Sequence, residues 1–235
     1  WNLLRDFDGH LPDWGYSASP LAVGNTIVLQ PGGSECSLLA LNISDGEPVW
    51  EAPGRGASYS SFIVREIAGK TQVIGLDAET LGGWDLSNGE RLWELTPKRN
   101  GEFQVPTPVW LGDALLVIGE NNGARKYRFS STGEVEPTPL AENPRCIPDT
   151  HSPVAVGPYV VVLHDSLWVL RRDTLAKHQL LDHDDLAHYG SLITDGETRV
   201  LAMTDAGKLL LFELVGDQFE LRGTLALSTS RTTKA

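Results

Sequence analysis

Apolar positions along this chain fall in short runs broken by Gly, Pro, Asn and Asp, and nowhere keep a helical period for ten residues. Thr26 to Leu29, Gln72 to Leu76, Ala114 to Ile118, Tyr159 to Leu163 and Arg199 to Met203 have strand length and strand composition. Just ahead of each lies a recurring pattern: a small residue, usually Pro, two or three apolar residues, then a Gly turn. Its copies are Ser19-Pro20-Leu21-Ala22-Val23-Gly24, Ser61-Phe62-Ile63-Val64, Thr107-Pro108-Val109-Trp110-Leu111-Gly112, Ser152-Pro153-Val154-Ala155-Val156-Gly157 and Ser191-Leu192-Ile193-Thr194-Asp195-Gly196.

The turn glycines Gly24, Gly69, Gly112, Gly157 and Gly196 step by 45, 43, 45 and 39 residues. A period near 43 fits one four-stranded unit. A second landmark runs in phase: Ser44-Asp45-Gly46-Glu47 before Trp50, Ser87-Asn88-Gly89-Glu90 before Trp93, and Ser131-Thr132-Gly133-Glu134. Asp-Gly and Asn-Gly favour the positive φ of tight turns, so Gly46, Gly89 and Gly133 mark the hairpin that joins the two outer strands of a unit.

A four-stranded sheet of this size cannot bury both faces alone, so consecutive units must stack face to face, and stacking around an axis makes a β-propeller. The predicted fold is therefore all-β, a propeller domain over 1–235 with five recognisable antiparallel blades near 17–53, 58–97, 103–140, 149–181 and 187–225. Trp50 and Trp93 are expected at the end of the outermost strand, covering the junction with the next blade.

Length and composition agree with this picture. The 235 residues, 41% of them apolar, with 24 Gly and 14 Pro, describe a turn-rich globular chain. The net charge of -12 repels phosphate backbones, and the basic clusters Arg171-Arg172 and Arg231 to Lys234 are too small to offset it, so nucleic acid is not an expected partner. No apolar run approaches the ~18 residues of a membrane span, and no targeting segment opens the numbered chain. Cys36 and Cys146 are widely separated; spacing leaves their pairing open, and free thiols are expected because a propeller core does not depend on disulfides.

Ala40-Leu41-Asn42-Ile43-Ser44-Asp45-Gly46-Glu47-Pro48-Val49-Trp50 resembles the tryptophan-docking repeat of pyrroloquinoline-quinone-like (PQQ-like) propellers, and Gly83 to Trp93 is a second copy. Tyr127 to Pro137 keeps the turn but puts Pro137 where the Trp would stand, and the units around Asp173-Thr174-Leu175 and Gly216-Asp217 are more eroded. Trp14 to Pro20 with Pro31-Gly32-Gly33 is similar to PQQ-like proteins of planctomycetes and related bacteria. A more distant likeness is to the propeller lipoprotein of outer-membrane protein assembly. The resemblance implies a ring of seven or eight blades, in which Trp1 resembles the closing Trp of a preceding blade.

What it implies for function is a non-catalytic module for protein interaction or scaffolding in the bacterial periplasm or cell envelope, with a protein partner and no cofactor. The alternative is a fragment of a PQQ-dependent quinoprotein dehydrogenase, holding PQQ with calcium and oxidising alcohols or sugars. Such an enzyme is expected to carry adjacent cysteines, which are missing here. Repeat motif and cofactor binding are separable.

Candidate chemistry is sparse. No catalytic residue is assigned: Gly56-Ala57-Ser58-Tyr59-Ser60 is not a nucleophile elbow, and Gly69-Lys70-Thr71 lacks the Gly that opens a phosphate loop. Asp182, His183, Asp184 and His188 form the densest polar loop, a weak metal candidate whose histidines are not at helical spacing. Asp149 and His151 stand at the entrance to a predicted inner strand and are candidates for the axial channel.

Overall fold

The structure, a computed structural model, describes residues 1–101 and 103–227; the basic cluster Arg231 to Lys234 lies outside them. A short helix, α1 (Leu3–Asp6), precedes twenty strands. They form five four-stranded antiparallel meanders in chain order. The first blade is β1 (Leu21–Val23), β2 (Thr26–Leu29), β3 (Leu38–Asn42) and β4 (Pro48–Ala52). The second is β5 (Ile63–Ile67), β6 (Lys70–Leu76), β7 (Leu81–Asp85) and β8 (Arg91–Leu95), and the third β9 (Val109–Leu111), β10 (Ala114–Gly119), β11 (Gly123–Arg128) and β12 (Ala141–Asn143). The fourth is β13 (Val154–Val156), β14 (Tyr159–His164), β15 (Ser166–Arg171) and β16 (Lys177–Leu181). The fifth is β17 (Gly190–Thr194), β18 (Arg199–Thr204), β19 (Lys208–Val215) and β20 (Gln218–Ala226). Strand β13 touches both β9 and β17, which puts the first strand of each blade on the inside of the arc.

The stacking predicted from the apolar runs is how the core is built. In β10, Leu115 and Val117 pack toward the second blade, while Leu116 and Ile118 pack toward the fourth. In β14, Val160 and Val162 face the third blade, and Tyr159, Val161 and Leu163 face the fifth. A central strand buried on both faces reads as a continuous apolar run, which explains why these strands show no alternation. Four such cores join neighbouring blades, and a fifth forms where Leu3 and Phe7 cover Cys36, Leu39 and Leu41 of the first blade. On the fifth blade, β18 alternates instead: Val200 and Ala202 are buried against the fourth blade, whereas Leu201 is half-buried and Met203 exposed on the other face.

The landmark turns lie where the repeat predicted, between the third and fourth strands. Gly46 and Gly89 have φ of 75° and 74°. Trp50 and Trp93 sit mid-strand in β4 and β8 rather than at a strand end. The Trp50 indole N–H donates to the Leu86 carbonyl of the next blade at 2.8 Å, and its ring lies where a Cβ on Gly89 would be, 2.6 Å from Cε3. Glycine is required there twice over, by backbone conformation and by space. Trp93 packs edge-on against Phe129 of the third blade, 5.5 Å between centroids. Trp1 makes a related contact on the first blade, its indole N–H donating to the Gly46 carbonyl at 2.5 Å.

Two eroded repeats fold by different local means. In the third blade, the chain after Gly133 makes a single bridge, Phe129 to Val135, and regains its ladder only in β12, so the blade runs to Asn143 instead of 140. Pro137 and Pro139 occupy the gap, and proline cannot donate to a ladder. In the fourth blade, Leu175 takes the place of the turn glycine with φ of 56°. It repeats the same bond, N–H to the carbonyl four residues back, Arg171 here and Asp85 for Gly89. A left-handed leucine costs roughly 1–2 kcal/mol, but burying the side chain returns about 1.5–3 kcal/mol. Leu175 is fully buried beside Cys146 and Leu170, so burial wins.

Cys36 and Cys146 are both free, as expected, and lie in separate cores. Burial pushes each thiol up to about 12, with Glu51 adding to the effect at Cys36. Neither is a reactive thiolate near neutral pH. Among the described residues, no helix is long and apolar enough to cross a membrane.

Candidate functional site

Antiparallel meanders alternate their ends, so the segments that enter the first strands lie on the rim opposite the Gly24 and Gly46 turns. On the entry rim, all five blades contribute to one concave pocket of about 390 Å³. Trp14 and Ser17 precede β1, and Tyr59 precedes β5. Phe103 and Val105 precede β9, Asp149 and Thr150 precede β13, and Tyr189 abuts β17.

Tyr59 is the fixed centre of one wall. Its amide donates to the Gln104 carbonyl at 3.1 Å, its carbonyl accepts from Ser17 Oγ at 3.1 Å, and its hydroxyl accepts from the Trp14 amide at 3.4 Å. The Phe103 ring leans on it at 6.2 Å and 51°. The Trp14 ring is left 79% exposed, and Tyr189 59% exposed. Asp149 is the one ionisable carboxylate on the wall; beside it Thr150 Oγ1 is buried without a hydrogen-bond partner.

The two predicted channel residues separate. Asp149 is exposed on the pocket wall. His151 turns instead to the neighbouring blade, where its Nε2 accepts the Gly190 N–H at 3.2 Å and its ring lies 6.2 Å from Tyr189. An accepting Nε2 leaves the proton of the neutral ring on Nδ1. Burial lowers the His151 pKa, and nearby His164 lowers it further, against opposing pulls from Asp149 and Asp165. It is a bridge between blades that helps to place Tyr189.

The side chains of the acidic loop are engaged with their neighbours. His183 caps a short 3-10 turn, Asp184–Leu186, through Nδ1 and the Asp185 amide, and Asp182 accepts from Ser166 Oγ at 2.6 Å. Asp185 pairs with Lys208 at 2.9 Å, while Asp184 and His188 are exposed. Among the described residues, no three His, Cys, Asp or Glu side chains converge on one point. Cap, hydrogen bond and ion pair thus hold His183, Asp182 and Asp185.

Tyr59, Phe103 and Tyr189 carry the pocket and were not singled out by sequence. They lie at different distances ahead of their strands and belong to no repeat motif. The signal that could have found them is an aromatic residue shortly upstream of the first strand in several blades.

Residues 10–177 match the model of the PQQ_2 family, described as outer membrane protein assembly factor BamB. The chain belongs to this family. No curated protein matches it in sequence. Among solved structures, BamB from Moraxella catarrhalis superposes with a TM-score of 0.60 at 14% identity, covering 91% of this chain and 62% of that one. The computationally designed Ika8 protein superposes with a TM-score of 0.64 at 15% identity, covering 92% of this chain and 63% of the other. The three thus share one fold, and this family member spans under two thirds of either structure's length.

Proposed function

We propose that this chain is a non-catalytic protein-interaction module of the bacterial cell envelope, and that the aromatic entry rim is the face it offers to its partner. The observation that carries the reading is the pocket itself, assembled from the same segment of all five blades in a family described by an outer membrane assembly factor. Exposed Trp and Tyr with a polar perimeter are the composition of protein-binding patches. The alternative, a calcium-held quinone, needs several converging oxygen ligands. The pocket wall supplies one carboxylate, Asp149, so the donor set supports the interaction reading better.

Photocrosslinking amino acids placed at Trp14 and Tyr189 test it in cells. The expected result is one reproducible crosslinked protein, whose purified form then binds the purified chain, with no such product from the same amino acid at Asp45 on the opposite rim. Equal crosslinking from both rims overturns the reading. So does a redox-active, dye-reducing species formed on mixing the chain with PQQ and calcium.

A further inference from the structure

Resting on the interaction reading, the geometry points to a specific occupant: we infer that the pocket captures the guanidinium of an arginine presented by an extended segment of the partner. Three observations converge on it. Trp14, Tyr59, Phe103 and Tyr189 supply π-faces on the pocket wall, and aromatic faces attract cations. Asp149 supplies the only formal charge on that wall, and it is negative, exposed and in no ion pair among the described residues. Thr150, on the same wall, buries its Oγ1 without a hydrogen-bond partner, so turning that hydroxyl toward an incoming N–H breaks no existing bond.

Arginine fits better than lysine. Its planar group stacks flat on an aromatic ring while its fork of N–H donors reaches a carboxylate and a hydroxyl at the same time. An ammonium is a compact, strongly hydrated point charge and cannot stack. The net charge of -12 draws basic segments to the whole molecule, and this pocket combines an exposed negative charge with stacking surfaces.

Calorimetric titration of the full chain with N-acetyl-arginine amide and with its uncharged citrulline analogue tests the inference without the partner. Saturable one-to-one binding of the arginine probe is expected, with citrulline weaker by about tenfold, the loss of one charge-assisted contact. Asp149→Asn weakens the arginine probe by about tenfold, and Trp14→Ala by about fivefold. Glu47→Gln, an exposed acid on the opposite rim, is the control for general attraction and leaves binding unchanged. Both pocket side chains are exposed, so these variants keep the fold, checked by circular dichroism. Citrulline binding as tightly as arginine, an inert Asp149→Asn, or an equal loss in Glu47→Gln overturns the inference. Failure here with a positive rim crosslink removes the arginine and leaves the interaction face; the reverse pattern removes the face as a partner site and leaves the arginine pocket.

Discussion

The amide of Ser61 donates to the hydroxyl of Thr107 at 3.2 Å, across 46 residues and one blade junction. The same bond joins Ser19 to Ser61 at 2.9 Å and Thr107 to Ser152 at 2.9 Å. Each small residue ahead of a first strand thus passes its N–H to the hydroxyl of its counterpart in the next blade. This ladder is why the repeat demands Ser or Thr at that position. At the fourth junction the arrangement reverses, and Gly190 of the fifth blade donates back to His151.

Removing a rung leaves a half-buried amide without an acceptor. Thr107→Val keeps the shape and is expected to cost about 1–2 kcal/mol, read as a lower urea midpoint with unchanged slope. Thr107→Ser keeps the hydroxyl and should lose less than about 1 kcal/mol. Equal losses in the two variants would show that the methyl, not the bond, matters.

The His151 bridge makes the last junction sensitive to acid. Because burial lowers its folded pKa below the unfolded value of about 6.5, the unfolded chain binds the extra proton first. Its contribution is therefore complete above about pH 6.5 and declines as the pH falls toward the folded value. Stability measured between pH 7 and pH 5 should fall in the native chain. His151→Gln, which can still accept the Gly190 amide, should flatten that slope while changing neutral-pH stability by about 1 kcal/mol or less. A slope that survives in the variant assigns the acid sensitivity to other groups.

Gly89→Ala forces a side chain into the space of the Trp50 ring at a backbone position with φ of 74°. Strain and overpacking act together, and a loss of about 2–4 kcal/mol is expected in chemical denaturation. Trp50→Phe keeps a ring over Gly89 but drops the indole bond to Leu86, for a smaller loss of about 1 kcal/mol.

Leu175→Gly separates two opposing effects. Glycine relieves the left-handed backbone by roughly 1–2 kcal/mol, while the emptied site costs about 2–5 kcal/mol as a core truncation. Net destabilisation of the fourth blade is expected. A more stable variant would mean that the third-to-fourth core closes over the gap.

What was legible in sequence was whatever a local rule imposes. Turn glycines at positive φ recur because other residues resist that conformation, so Gly46 and Gly89 with their tryptophans reported the blades and their order. Buried runs such as Ala114 to Ile118 and Tyr159 to Leu163 were equally plain, since a strand pressed between two blades must be apolar on both faces. The third blade's outer edge was less so, because Pro137 and Pro139 interrupt a ladder without saying where it resumes. Leu175 left only an eroded trace of its turn, since its conformation is sustained by a core it does not touch in sequence. The pocket was the least visible. Trp14, Tyr59, Phe103, Asp149 and Tyr189 meet only because five entry segments are carried to one rim by blade stacking, and no spacing between them records that meeting. Sequence alone determined the repeat, the strands and the turn chemistry, where backbone conformation dictates residue type. Tertiary structure decided which side chains face the axis, because that depends on how blades are rotated against one another by cores spread over the whole chain.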